Sequence, residues 1–296
     1  MIRLSPARRG GTLVELLIAL PLAALLAVTA AATLLGAWRL VRRADSSQGS
    51  TRELRHAQAA FESELRPLRA RDLQTVRDTA IEFDALLGVG VVCASTRGTA
   101  GGDRVEMVSP DPTDPRGVSW ASSVQIGDAL SLWRVTPDHA ASPVEHNTTV
   151  RDISWGSTCA ASPWLARWAD RRTVRLTLAD ASASPIVVGS AVAARRRTRL
   201  SLYRSNTVWF LGKRTRVGGV WEVVQPITGP FLAAALGGLQ ARLLDGAGAV
   251  TLATADAAAV RIELRADRTP DGHSPARRDT AAFDVVLRAE SAERRR

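Results

Sequence analysis

From Leu16 to Trp38 the chain carries no charged side chain, and leucine and alanine dominate. As a helix this stretch rises about 34 Å, enough to cross a hydrocarbon core of about 30 Å. Arg3, Arg8 and Arg9 precede it, and Arg39, Arg42 and Arg43 close it. The basic count is therefore tied on the two sides and does not set orientation. The short leader and the long polar remainder favour an N-inside arrangement. A secretory signal peptide would have a shorter apolar region followed by a small-residue cleavage site. Here the processing signal lies ahead of the apolar run.

The anomaly in this segment is Glu15. It interrupts an apolar run that otherwise extends from Gly10 to Trp38. A carboxylate in hydrocarbon is costly, so it calls for a partner. The local string is Arg9-Gly10-Gly11-Thr12-Leu13-Val14-Glu15-Leu16. It resembles the processing signal of type IV pilins and type II secretion pseudopilins: a basic leader, glycine, one residue, Thr-Leu-Val-Glu-Leu, then a hydrophobic helix. The resemblance implies cleavage by a prepilin peptidase between Gly10 and Gly11. It also implies N-methylation of the new terminal residue, Gly11, and an assembly role for Glu15 at the fifth mature position. Gly10 has no side chain, which lets a peptidase approach the backbone closely. Glu15 can pair with an N-terminal amine, its own or a neighbour's, and a paired charge is tolerable where a lone one is not. One residue departs from the family pattern: Gly11 stands where phenylalanine is usual. Cleavage after Gly11 would make Thr12 first and put Glu15 one position out of register. The bland alternative is a plain signal-anchor helix with Glu15 at the cytosolic interface.

Beyond the span, Leu54, Ala57, Phe61, Leu65 and Leu68 recur at spacings of three and four, which makes one apolar helical face. Ser46 to Ser50, with Gly49, is a polar interruption where the helix can kink or break. Pro21 can kink the apolar half, and Pro67 can end the helix. From about Ile81 the sequence reads as strands: Ile81–Leu87, Val89–Val92, Val105–Val108, Ala129–Val135, Val174–Leu178, Ile186–Val188, Thr198–Tyr203, Thr207–Leu211, Val220–Val224, Val260–Leu264 and Phe283–Leu287. Gly218-Gly219 is a hairpin signal. Loops are expected at 109–117, 136–146 and 267–279.

The order of elements in the last hundred residues is similar to minor pilins and pseudopilins of the PulJ/PilW type. The similarity rests on Thr198-Arg-Leu-Ser-Leu-Tyr-Arg204, Val223-Val-Gln-Pro-Ile227 and the strand and Asp-x-x-Gly turn of 239–248. It extends to the closing pair Val260–Leu264 and Phe283–Arg288.

Composition narrows the remaining choices. Hydrophobic residues make up 46% and charged residues 23%, too apolar a balance for general disorder. The formal charge is +10, carried almost wholly by arginine with the single lysine Lys213. The arginines are scattered, with short runs at 195–197 and 294–296, so nucleic-acid binding is not expected as the main role. Cys93 and Cys159 permit one disulfide closing a loop of about 65 residues; two buried thiols are the alternative, and an extracytoplasmic location favours the bond. Asp138, His139, Glu145 and His146 match no standard ligand spacing, and Asp111 and Asp114 fit a proline turn. No catalytic motif and no zinc-spaced cysteine pair is found, so no catalytic residue, metal or cofactor is expected. The tryptophans at 120, 133, 155, 164, 168, 209 and 221 are assigned to the core or strand faces.

The expected fold is α+β: a long N-terminal helix, half membrane-spanning and half amphipathic, packed on an antiparallel β-rich pilin-like domain. The expected segments are a leader at 1–10, an assembly helix at 11–43, an amphipathic continuation at 44–78 and a periplasmic β-domain at 79–296. The expected function is that of a minor pilin-like subunit of a pilus or secretion pseudopilus in the bacterial inner membrane. Its partners would be prepilin peptidase and other pilin or pseudopilin subunits. The alternatives are a signal-anchored periplasmic binding domain or enzyme that never assembles, and a DNA-uptake pilin.

Overall fold

The computed structural model describes residues 13–98, 102–108, 120–134, 144–159, 172–182, 185–267 and 279–289. The chain divides into two compact units, 1–52 and 53–296. One helix, α1 (Leu13–Leu65), begins in the first unit and ends in the second. Ser46, Ser47, Gly49 and Ser50 do not break it. Pro67 explains where it stops: its ring disfavours helical geometry at Arg66. Leu68 N then donates to Leu65 O at 3.0 Å, which tightens the last turn. The expected helical continuation to residue 78 is thus corrected. Residues 70–72 form one 3₁₀ turn, and Leu73–Arg77 already form the first strand, β1.

Thirteen further strands follow among the described residues. They are β2 (Ala80–Thr96), β3 (Arg104–Val108), β4 (Ala129–Arg134), β5 (Val144–Thr158), β6 (Arg172–Leu178), β7 (Ala191–Ser205) and β8 (Val208–Val217). The remainder are β9 (Val220–Trp221), β10 (Gln225–Phe231), β11 (Leu239–Leu244), β12 (Val250–Thr251), β13 (Ala259–Ala266) and β14 (Asp279–Val286). Every pairing between them is antiparallel. Gly218 and Gly219, at φ 56° and 85°, join β8 to β9 as a two-residue hairpin with Val217 opposite Val220. Both glycines have the positive φ that such a turn demands.

Several expected strands change extent. Ile81–Leu87 and Val89–Val92 are one strand, β2, kept continuous by a register shift between Leu86 and Gly88. Ile186–Val188 is a connection, not a strand; Ser190 N turns back onto Val187 O. Residues 144–146, expected in a loop, open the 15-residue β5.

The pairings close a ring: β2 with β3, β3 with β6, β6 with β5, β5 with β4, β4 with β7, and β7 back to β2. A closed antiparallel ring is a barrel, and it leaves no open edge around its circumference. Its interior holds Val92, Val105, Met107, Trp120, Leu130, Leu132, Leu176 and Val192. Above it lies a second core. There Leu54, Ala57, Phe61 and Leu65 of α1 meet Ile81 and Phe83 of β2, Leu200 and Leu202 of β7, Leu211, Phe231, Ile262 and Leu264. The apolar face read from the spacing of three and four is the face buried: Phe61 and Leu65 are fully inaccessible.

The long strand β7 serves both cores with one face. Val192 and Ala194 line the barrel, and Leu200 and Leu202 line the helix-covered core. Between them the same face presents Arg196 and Thr198, both buried. On the other face of the sheet, aromatic rings cover glycines of neighbouring strands. The Tyr203 ring lies against Gly212 and the Phe210 ring against Gly229, where a side chain would collide with them. The two rings sit 6.0 Å apart.

Candidate functional site

Residues 20–38 of α1 are the one described stretch long and apolar enough to cross a membrane, and none of that window is buried inside the protein. Leu20, Leu22, Leu25, Leu26, Val28, Leu34 and Leu35 all project outward. In water this would be a large exposed apolar surface, which a soluble monomer avoids. The two hydroxyls in the stretch need no water. Thr29 donates to Leu26 O at 3.0 Å, and Thr33 donates to Ala30 O at 2.8 Å. Backbone carbonyls of the same helix thus satisfy them, the arrangement an apolar solvent requires. Trp38 stands at the end of the run, beside the arginines at 39, 42 and 43.

Glu15 falls on the first turn of α1. Gly10 and Gly11 lie outside the described residues, as do Asp111, Asp114, Asp138, His139, Trp164 and Trp168. Cys93 and Cys159 are joined by a disulfide with Cα atoms 5.4 Å apart, and it ties β2 to the end of β5. Glu145, weighed as a metal ligand, instead accepts from Arg71 Nη1 at 2.7 Å. His146 lies opposite Leu132 in the β4–β5 ladder. No cluster of metal-ligating side chains occurs among the described residues. Trp120 is buried in the barrel and Trp209 packs on the helix-covered core, whereas Trp155 stands 71% exposed.

The arginine run at 195–197 looks like a basic patch in one dimension, but in three its members go to different partners. Alternation along β7 sends Arg196 inward. Its Nε donates to Asp128 Oδ1 at 2.8 Å, and its Nη2 donates to Asp128 Oδ2 at 2.7 Å and to Ser123 O at 2.8 Å. Asp128, 1% exposed, also accepts from Gln125 N. This is a bidentate, fully bonded pair of the kind a buried charge requires. Outward, Arg197 pairs with Asp84 at 3.0 Å and Arg199 with Glu82 at 3.6 Å, each directly across the β2–β7 ladder. These charges are neutralised within the fold.

A different group of arginines was not legible from spacing. The chain leaves α1 through Arg69 and Arg71, while Arg195 comes from β7 and Arg288 follows β14. Arg288 N donates to Leu68 O at 2.7 Å, which brings the two ends of the domain together. Asp72 Oδ2 accepts from Arg69 N at 2.9 Å, and its Oδ1 lies 3.4 Å from Arg195 Nε. Partial burial, and then repulsion from Arg71 and Arg288, lowers the pKa of Arg69 from its ordinary value; Asp72 opposes this. Sequence separations of more than a hundred residues hide the grouping.

No protein-family model, curated protein or solved structure matches the chain.

Proposed function

We propose that the protein is a pilin-like structural subunit rather than an enzyme. The prepilin peptidase would cut between Gly10 and Gly11, Gly11 would be methylated, and Glu15 would set the register between neighbouring subunits. The apolar half of α1 would anchor the chain in the bacterial inner membrane, with the β-rich part in the periplasm. The observation that carries this reading is the division of α1. Its first half, 20–38, exposes its apolar side chains on all sides, and its second half contributes one face to a core. A helix built that way has an apolar segment free for lipid or for like helices of other subunits. The pairing of Arg196, Arg197 and Arg199 with carboxylates of the fold favours this structural role over a DNA-uptake role.

The test is the intact mass of the membrane-extracted protein, made with and without a co-expressed prepilin peptidase. Loss of residues 1–10, with a methyl group on Gly11, is the expected result. Glu15→Ala should be cut normally and fail to assemble with partner subunits. A chain left whole by an active peptidase would overturn the proposal and leave a signal-anchored domain.

A further inference from the structure

Around the end of α1 four guanidinium groups, those of Arg69, Arg71, Arg195 and Arg288, gather about two carboxylates, Asp72 and Glu145. Both carboxylates are engaged, although Glu145 Oε1, like Arg71 Nη2, is shielded from solvent without a hydrogen bond. Glu145 accepts from Arg71 Nη1, and Asp72 is held by the Arg69 backbone and by Arg195. Arg195 spends a second nitrogen on Ser131 Oγ at 2.7 Å. Two donor sets remain over. Arg71 Nη2 is shielded from solvent with no hydrogen-bond partner. The Arg69 guanidinium makes no hydrogen bond or ion pair with a described residue, and burial, then repulsion from Arg71 and Arg288, disfavours its charge against the attraction of Asp72.

A half-buried positive surplus with unsatisfied, forked donors is unfavourable until an anion fills it. Planar guanidinium forks match tetrahedral oxyanions, to which they donate in pairs. We propose that Arg69 and Arg71, backed by Arg195 and Arg288, form a binding site for an oxyanion of the phosphate class. The site is independent of the processed N-terminus and holds whether or not the chain assembles. Its ligand is either a soluble phosphate or the phosphate of a lipid headgroup, since both present the same oxygens.

The experiment uses the full chain in nanodiscs of zwitterionic lipid. Inorganic phosphate is titrated against chloride at constant ionic strength, and binding is followed by calorimetry and by the unfolding midpoint. Saturable binding with a dissociation constant below about 1 mM is expected. Arg69→Gln should weaken it at least tenfold. Arg69 has no described partner to lose, so this variant should keep its fold. Arg71→Gln should weaken it likewise if it remains folded. Arg216→Gln, an equal charge change at an exposed strand end, should leave binding intact. Absence of saturation up to about 10 mM, or equal weakening by Arg216→Gln, overturns the site. A second arm replaces a fifth of the lipid with phosphatidic acid. Loss of phosphate binding there assigns the site to a lipid headgroup, and unchanged binding assigns it to a soluble phosphate.

Discussion

The two cores of the β-rich unit are built on different principles. The upper one depends on a helix. Phe61 and Leu65 fill it from above, and the sheet beneath needs only to supply a flat apolar face. The lower one has no helix among the described residues. It is sealed by closing the sheet on itself, and a disulfide ties two of its strands. The first arrangement tolerates an open sheet because the helix covers it; the second must close or expose edges. β2 and β7 pass through both, so neither core can form its walls without the other.

The strongest way to test that coupling is the buried pair at the boundary. Asp128→Ala strands the Arg196 guanidinium in the interior and should cost about 3–5 kcal/mol in denaturant unfolding. A shared wall requires one transition that moves as a whole. Two separated transitions would show the cores to be independent. The double replacement Asp128→Leu with Arg196→Met should recover most of the loss.

Removing the cross-link with Cys93→Ala and Cys159→Ala should cost about 4 kcal/mol, because a loop of about 65 residues is released in the unfolded chain. Hydrogen exchange should rise first in β3 to β6 and last in β11 and β13. An equal rise everywhere would erase the distinction between the two cores. Smaller still is Gly212→Ala. Its new Cβ would come within 2.5 to 2.8 Å of Val224 and the Tyr203 ring, so about 1–3 kcal/mol is expected, felt at the β7–β8 pairing and not in the barrel strands β3 to β6.

The least effect belongs to the exposed cross-strand pair Arg261–Asp284, bonded at 2.7 and 2.8 Å. The hydrogen bond from Arg261, with its charge, holds the Asp284 carboxyl below its ordinary pKa of 3.8. Folded-state depression means that the contribution is present above the unfolded value and is lost as pH falls through the folded one. Arg261→Gln should therefore raise the Asp284 titration midpoint, read by NMR, and hardly move the unfolding midpoint at neutral pH. An unmoved titration would remove the pair as the cause.

Legibility followed the same division. The helix-covered core was readable because Leu54, Ala57, Phe61, Leu65 and Leu68 keep a helical period, and period survives whatever the partner is. The barrel was not. β5 begins at Val144-Glu145-His146, where the polar Glu145 is paired with Arg71 and Pro143 comes just before in the sequence, so no local pattern marks a strand. Gly88 interrupts the apolar run of β2, at the register shift between Leu86 and Gly88, so the run reads as two strands. Arg196 reads as one member of a basic run, although its alternation with Leu200 and Leu202 already places it on the inward face. Ring closure is a relation between distant strands, and no window of sequence carries it. The N-terminal signal is the reverse case: Gly10, Gly11 and Glu15 are plain in the sequence, and their chemistry depends on a peptidase and on neighbouring subunits.

Tyr203 is the chain's sole tyrosine, and its ring rests on Gly212 of the adjacent strand and near Phe210. A fluorine label on tyrosine would therefore give a single resonance from one known place. That place is the sheet surface opposite the helix, at the junction of β7 and β8. Ring-current shifts from Phe210 would make the signal sensitive to register between these strands. The protein thus carries a native one-site probe, able to report from detergent, bilayer or filament whether the same sheet geometry persists in each.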